Sequence, residues 1–140
     1  ANALSLPLKK DSFDALVSFR FFFHFQDIVP FLKEFTRVIK KDGFIIFETL
    51  NWSFRTIGGN KFWNFLGGRL YIHNKKEIED ICKKLGLAIV ERKDLFLLTP
   101  FMYKYLPTFL TKLLFSLEKY FPFFLTVSFW KVKKTLRTKK

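Results

Sequence analysis

Polar and aromatic side chains stand directly after two short apolar runs, at positions where a ligand could be bound. Ser18 and Phe19 end the first run, and Asn51 and Trp52 follow the second. If both runs are parallel strands, their carboxyl ends share one edge of the sheet, which is where open α/β sheets bind ligands. We therefore predict a small-molecule site at this edge, with Asn51 and Trp52 on its substrate side.

His24 is the candidate for acid–base chemistry at the same edge, because imidazole titrates near neutral pH. It stands just beyond the first run, between Phe23 and Phe25. Two roles are open: a residue on the substrate side, or a structural histidine hydrogen-bonded near the start of the next helix. His73, followed by Asn74, is expected to end a loop and begin a helix.

Other catalytic arrangements find no support in the sequence. Asp14 stands at the start of its run, far from the predicted site, and Glu48 is expected to be solvated, so the two do not make an acid–base pair. Two histidines and one cysteine offer no metal-ligand spacing, so no metal is predicted. The G-x-S-x-G motif of α/β-hydrolases is absent. The catalytic residues remain unknown at this stage.

The apolar runs and the residues between them predict a strand–helix–strand unit. The runs from Phe13 to Phe19 and from Phe44 to Phe47 are typical of strands covered on both faces. Asp27 is the predicted N-cap of the helix, with Pro30 in its first turn, and Lys41-Asp42-Gly43 is the predicted turn into the second strand. Apolar residues at three- and four-residue spacing form one helix face: Ile28, Phe31, Leu32, Phe35, Val38 and Ile39.

The middle of the chain is expected to leave the sheet and return to it. About residues 51–72, glycine pairs and aromatic residues show no clear period, which indicates a lid-like excursion. A helix follows, capped by Asn74 with Glu77 and ended by Gly86. The run from Leu87 to Val90 is then predicted to form a strand.

An inserted helix is predicted at about residues 103–121, followed by a strand from Leu125 to Val132 and a basic tail at 133–140. Without repeats or linkers, residues 1–132 should form one partial domain. The apolar stripe of the inserted helix favours packing in the core. The alternative is an amphipathic surface that admits a lipid-like substrate or touches a membrane, rimmed by Lys104, Lys112 and Lys119.

Three pieces of sequence, taken in order, resemble the type-11 branch of the class I S-adenosylmethionine (SAM) dependent methyltransferases. Leu6-Pro7-Leu8 is followed by Phe13-Asp14 and an apolar strand, and then by a helix that ends in Arg37-Val38-Ile39-Lys40. The match is strong over about a third of the chain, and the later elements follow in the family's order. The resemblance implies an α/β fold with a Rossmann-like sheet whose last strand is antiparallel.

The resemblance also implies SAM as the cofactor and methyl transfer to a small-molecule or lipid-like acceptor. Asn2 and Ala3 would lie beside the adenine, whereas Ser18 and Phe19 would line the methionine side. The family usually has Asp where Asn2 stands, and the Asn2 amide oxygen can still accept a hydrogen bond.

The family's glycine-rich loop and acidic ribose ligand do not occur in this sequence and are expected upstream of Ala1. We therefore expect the chain to be the C-terminal part of the enzyme, truncated at its N-terminus and inactive alone. The strand from Phe13 to Phe19 would then expose an edge that pairs with the missing part. The alternative is a non-catalytic Rossmann-like partner module that another chain completes.

Composition limits the partners and the compartment. Lys and Arg outnumber Asp and Glu by 25 to 12, and the net charge of +13 favours anionic partners without choosing among them. No nucleic-acid-binding signature occurs. The single cysteine, Cys82, fits a cytoplasmic protein. No apolar run approaches the ~18–20 residues of a membrane span, so any membrane contact is expected to be peripheral.

Overall fold

The secondary structure was obtained from a computed structural model, which describes residues 2–51, 70–98 and 103–135. Trp52, residues 136–140 and most of the predicted excursion at 51–72 lie outside these ranges. Within them the chain forms four strands and three helices. Their order is β1 (Phe13–Ser18), α1 (Val29–Val38), β2 (Ile39–Leu50), α2 (Lys75–Leu85), β3 (Leu87–Leu95), α3 (Thr108–Glu118) and β4 (Val127–Lys134).

The strands form one mixed sheet with the order β1-β2-β4-β3. β1 and β2 are parallel, with Val17 opposite Ile46. β4 is antiparallel to both β2 and β3, so β1, β2 and β3 all run in the same direction. The α/β fold with an antiparallel last strand is therefore confirmed, and the carboxyl ends of the three parallel strands lie at one edge.

α1 follows the predicted apolar spacing, with corrections at both ends. Ile28 is the N-cap, whereas Asp27 lies one position earlier and accepts a hydrogen bond from the Val29 N–H at 2.9 Å. The prediction of Asp27 as the N-cap is therefore wrong by one residue. Ile39 is buried as predicted, but its extended backbone begins β2 instead of ending the helix.

The turn predicted before the second strand is a bulge inside β2. Residues 40–43 drop out of the pairing with β1, and Asp42 adopts a left-handed φ of 66°. Gly43 is needed there because a Cβ would lie 2.6 Å from Ile39 Cγ2 and 2.8 Å from the Asp14 carbonyl oxygen. The bulge lets β2 begin directly after α1, so the strand is longer than predicted.

α2 confirms the predicted capping. The Asn74 side chain accepts a hydrogen bond from the Glu77 N–H at 2.9 Å, and Gly86 ends the helix with a left-handed φ of 70°. α1 and α2 cover the same face of the sheet, where Phe47 and Trp130 are buried between the strands and these helices. In this core the Trp130 indole N–H donates to the Thr49 hydroxyl at 2.9 Å.

Both of the last strands end later than the sequence predicts, and β4 also begins two residues later, at Val127 instead of Leu125, so its length is unchanged. β3 continues to Leu95 rather than ending at Val90, because it pairs with β4 along its length around a bulge. β4 continues to Lys134, so the first two residues of the predicted basic tail belong to the sheet.

α3 departs from the favoured prediction of core packing. Phe109 is 72% exposed and Leu113 is 51% exposed, so that prediction is wrong for these two residues. In the described part of the chain, no helix is long and apolar enough to cross a membrane.

Candidate functional site

The carboxyl ends of the parallel strands bring two of the predicted site residues, Ser18 and Asn51, to one edge. β1 ends at Ser18 beside Phe47 of β2, and β2 ends at Leu50. From there, the Asn51 N–H donates to the Thr126 carbonyl just before β4, at 2.8 Å. The loops that leave β1 and β2 therefore begin side by side, as a ligand site at this edge requires.

A buried carboxylate fixes the loop that follows β1. The Arg20 N–H donates a hydrogen bond to Glu48 Oε1, and Arg20 adopts a left-handed φ of 54°. Glu48 is buried, and the loss of hydration raises the pKa of its carboxyl, while the bond from Arg20 acts in the opposite direction. The expectation that Glu48 would be solvated is wrong, because the loop after β1 closes over it. Nothing in the local sequence indicated this contact.

Phe19 leaves the sheet just before this loop and remains accessible. Its ring is 52% exposed and makes an edge contact with Phe129 of β4, with ring centroids 5.7 Å apart. The chain thus presents an aromatic face at the end of β1, where the sequence predicted a ligand-lining residue.

Arg37 joins two of the sequence pieces that carry the family resemblance. Its Nη2 donates to the Leu6 carbonyl at 3.1 Å and to the Leu8 carbonyl at 2.9 Å. Glu34 completes the clamp by accepting the Leu6 N–H at 2.8 Å and the Arg37 Nε–H at 2.9 Å. The Arg37 guanidinium lowers the pKa of the Glu34 carboxyl to about 2. The N-terminal segment is therefore held against α1.

Asn2 and Ala3 lie at the start of this clamped segment. The Asn2 amide oxygen accepts the Leu4 N–H at 3.0 Å, which leaves its second lone pair for another donor. Ala3 packs against the hydrophobic core. Among residues 2–51, 70–98 and 103–135, no hydrogen bond or ring contact joins Asn2 to Ser18 or Phe19. Their shared role in binding a cofactor stays a prediction.

The two histidines differ in their surroundings. His24 is exposed in a short 3₁₀ turn, Phe22–His24, with its ring 4.5 Å from that of Phe23. His73 is buried: its Nδ1 lies 3.3 Å from Glu77 Oε1, and its Nε2 lies 3.1 Å from the Phe25 carbonyl oxygen. His73 thus ties α2 to the loop after β1, whereas His24 faces solvent beyond the strand end.

Asn51 belongs to a polar network that the sequence did not reveal. Its amide oxygen lies 2.6 Å from the Ser128 hydroxyl, which also lies within hydrogen-bond distance of the Asp94 carboxylate and has one proton to donate to either acceptor. Arg92 lies 2.9 Å from that carboxylate and 4.9 Å from the centroid of the Trp130 ring. The network spans β2, β4 and β3 and fixes Asn51 at the sheet edge. Its substrate-side role stays a prediction.

Within the described ranges, no group of three or more His, Cys, Asp or Glu side chains could hold a metal ion. A shallow depression between Asn74 and Lys84 lies along α2 and contains none of the predicted site residues. The sheet edge is therefore the candidate site that the geometry favours.

The family model for the methyltransferase domain matches residues 1–47. This segment includes the clamped N-terminus, β1, the loop after it and α1. The resemblance to class I SAM-dependent methyltransferases is confirmed. A search of curated proteins finds no match.

Solved methyltransferase structures show the same fold. One is geranyl diphosphate C-methyltransferase from Streptomyces coelicolor A3(2), in complex with Mg²⁺, geranyl diphosphate and S-adenosyl-L-homocysteine. It superposes with a TM-score of 0.67 at 16% sequence identity, and the match covers 96% of this chain and 53% of that chain. A putative sarcosine dimethylglycine methyltransferase from Galdieria sulphuraria gives 0.62 at 14% identity, covering 96% and 58%.

A third structure, a complex of a Haloferax volcanii methyltransferase activator with the putative methyltransferase, gives a TM-score of 0.64 at 17% identity and covers 97% of this chain and 60% of that chain. The present chain therefore spans about half the length of the methyltransferases that it resembles.

Proposed function

We propose that this chain is the C-terminal part of a SAM-dependent methyltransferase that acts on a small-molecule or lipid-like acceptor. The observation that carries the proposal is the position of the family match in the fold. Residues 1–47 contain the clamped N-terminal segment and the loop that Glu48 holds at the end of β1. The family match therefore includes the loop that leaves β1 at its carboxyl end, which is the kind of position where α/β proteins bind ligands.

The residues predicted to bind the cofactor fit it in chemical type. The Asn2 amide oxygen has a lone pair for an adenine amine, and Ala3 is small enough to allow a flat ring close to the backbone. Ser18 offers a hydroxyl and Phe19 an exposed ring on the methionine side. Bound SAM supplies an activated methyl group. The protein's part is to align an acceptor with that group and to exclude water.

A lipid-like acceptor is favoured by aromatic rings that continue from Phe19. The Phe129 ring lies 6.4 Å from that of Phe96, which lies 5.6 Å from that of Tyr103. These rings give the site an apolar wall on the side of α3. His24, Asn51 and Trp52 would contact the acceptor from the loops after β1 and β2. The geranyl diphosphate held by one similar enzyme is an acceptor of this kind.

A partner module is the second candidate, and the edge of the sheet favours it. Among the described strands, β1 pairs with β2 alone, and it exposes 41% of Phe13 and 55% of Val17. An exposed apolar edge favours pairing with another strand. The N-terminal part that completes the sheet would supply that strand, on the same chain or on another. We propose a cytoplasmic location for either form.

Calorimetric titration with SAM tests the proposal. We compare the 140-residue chain with a form extended upstream through the predicted glycine-rich loop. Binding by the extended form alone is expected, because the chain lacks that loop. In the extended form, Phe19→Ser should weaken binding about two- to tenfold, since one aromatic contact contributes roughly 0.5–1.5 kcal/mol. Phe121→Ser is the matched control, because Phe121 is similarly exposed, at 47%, and lies outside the site.

If neither form binds SAM, the enzyme proposal fails and the partner module remains. If Phe121→Ser weakens binding as much as Phe19→Ser, the cofactor site has been placed at the wrong edge.

A further inference from the structure

α3 and the turns on either side of it display a group of exposed apolar side chains, which we call the α3 surface. On the helix itself, Phe109 and Leu113 lie one turn apart and point the same way. Their flanking neighbours are tyrosines and phenylalanines. The exposed fractions are 67% for Tyr105, 72% for Phe109, 51% for Leu113, 66% for Tyr120, 47% for Phe121 and 42% for Phe124.

The orientation of α3 is fixed by the opposite side of the helix. Glu118 is buried, and its Oε1 accepts hydrogen bonds from the Phe96 N–H at 3.0 Å, the Leu97 N–H at 3.3 Å and the Tyr103 hydroxyl at 3.1 Å. Leu114, also on the inner side, is half-buried. The helix is thus anchored with Phe109 and Leu113 turned outward.

The charges on the α3 surface have one sign. Lys104, Lys112 and Lys119 are all exposed. Glu118 is the one acidic residue between Tyr103 and Thr126 in the sequence, and its carboxylate is turned inward. The Lys119 ammonium lies 4.8 Å from the centroid of the Tyr120 ring, so cation and aromatic ring are presented together.

We propose that the α3 surface docks onto the headgroup region of an anionic phospholipid bilayer. Aliphatic and phenyl groups can enter the acyl boundary, while tyrosine hydroxyls and lysine ammonium groups remain at the level of the headgroups. The proposal does not depend on SAM, because bilayer docking is measured without cofactor.

Vesicle flotation tests the proposal with the 140-residue chain. Vesicles of phosphatidylcholine and phosphatidylglycerol in equal parts should carry the protein, and vesicles of phosphatidylcholine alone should carry much less. Phe109→Ser with Leu113→Ser should lower partitioning about a hundredfold or more, since two side chains of this size, at roughly 1.5 kcal/mol or more each when buried, contribute about 3 kcal/mol together. The control pair Val17→Ser with Val90→Ser removes side chains of 55% and 52% exposure elsewhere and should leave binding unchanged.

The lysines are tested by a second matched pair of variants. Replacing Lys104, Lys112 and Lys119 by Gln should lower partitioning about a hundredfold, at roughly 1 kcal/mol for each lysine near the surface. Replacing three exposed lysines elsewhere by Gln removes the same net charge and should have a much smaller effect. These control positions are Lys41, Lys76 and Lys83.

A labelled variant reports the contact directly. Ser116→Cys places a thiol on the exposed side of α3, and the native Cys82 is buried with the pKa of its thiol raised to about 12. A polarity-sensitive dye at position 116 should show a blue-shifted emission on anionic vesicles and quenching by brominated lipid.

Three results would overturn the proposal: equal binding to neutral vesicles, equal effects of the α3 and control variants, or a dye that stays in water on bound vesicles. Sedimentation that shows a dimer dissociated by the Phe109 and Leu113 substitutions, with unchanged vesicle binding, would assign the surface to a second copy of the chain. Circular dichroism checks that each variant keeps its fold.

Discussion

Glu118→Ala should destabilise the anchoring of α3 far more than an ordinary surface substitution. One buried carboxylate oxygen accepts from Phe96, Leu97 and Tyr103, so the substitution leaves three donors without this acceptor. The substitution should weaken the contact between α3 and the end of β3. This contact positions both the apolar wall and the α3 surface.

The magnitude follows from the distances. A hydrogen bond to a charged group contributes roughly 1.5–3 kcal/mol. The bonds from Phe96 and Tyr103, at 3.0 and 3.1 Å, are near ideal length, whereas the bond from Leu97, at 3.3 Å, shares the same oxygen. Counting two full bonds and allowing for the gain in helix propensity, we expect Glu118→Ala to lower the free energy of unfolding by about 3 kcal/mol. Glu118→Gln keeps an acceptor and should cost about 1 kcal/mol.

Urea denaturation followed by circular dichroism measures the global effect, and amide hydrogen exchange at Phe96 and Leu97 measures the local one. Glu79→Ala is the control, because Glu79 is an exposed helical glutamate with an ion pair to Lys75 at 3.7 Å. That variant should change stability by less than about 0.5 kcal/mol. If Glu118→Ala and Glu79→Ala behave alike in both assays, Glu118 does not anchor α3 and the reasoning is refuted.

Three further predictions concern the elements around the site. Gly43→Ala should lower the free energy of unfolding by about 1–3 kcal/mol, because the new Cβ would lie 2.8 Å from a backbone oxygen; a melting temperature equal to that of the native chain would contradict this. Relative to the native chain, the Glu48→Gln variant should be more stable at about pH 8 than at about pH 4. A carboxyl with a raised pKa stabilises the fold below its ordinary pKa, and this contribution is lost as the pH rises through the pKa of the folded state. A pH-independent difference in urea denaturation would show that Glu48 is not buried as a carboxylate. The Glu34 carboxyl, with a pKa of about 2 against an ordinary value of 4.5, contributes stability that is present above pH 4.5 and lost as the pH falls through about 2. Arg37→Gln should reduce this loss of stability at acid pH, because Arg37 is the largest cause of the lowered pKa of Glu34. An unchanged dependence of stability on acid pH would argue against the clamp.

The regular elements could be predicted from the sequence because their signals are local. The apolar run of β1, the spacing in α1 and the Asn74 and Gly86 caps of α2 each depend on neighbouring residues. The family resemblance supplied the antiparallel last strand, which the residues alone do not specify.

The contacts that shape the site depend on residues far apart in the chain. Glu48 and Arg20 are 28 positions apart, and Asn51 and Ser128 are 77 apart, so no local pattern marks them. The apolar stripe of α3 predicted burial, but apolar spacing cannot say which side faces the protein. Glu118 decides that orientation, and its role becomes visible only when β3 and α3 are brought together.

The position of the cofactor site can be measured directly by nuclear magnetic resonance. The form extended through the glycine-rich loop is labelled with ¹⁵N, and S-adenosyl-L-homocysteine is added. The largest amide shifts are expected at Asn2, Ala3, Ser18, Phe19 and Arg20, with α2 little changed. Saturable shifts that cluster on α2 or on the outer side of α3, with none at the end of β1, would contradict the central claim that this sheet edge binds the methyl donor.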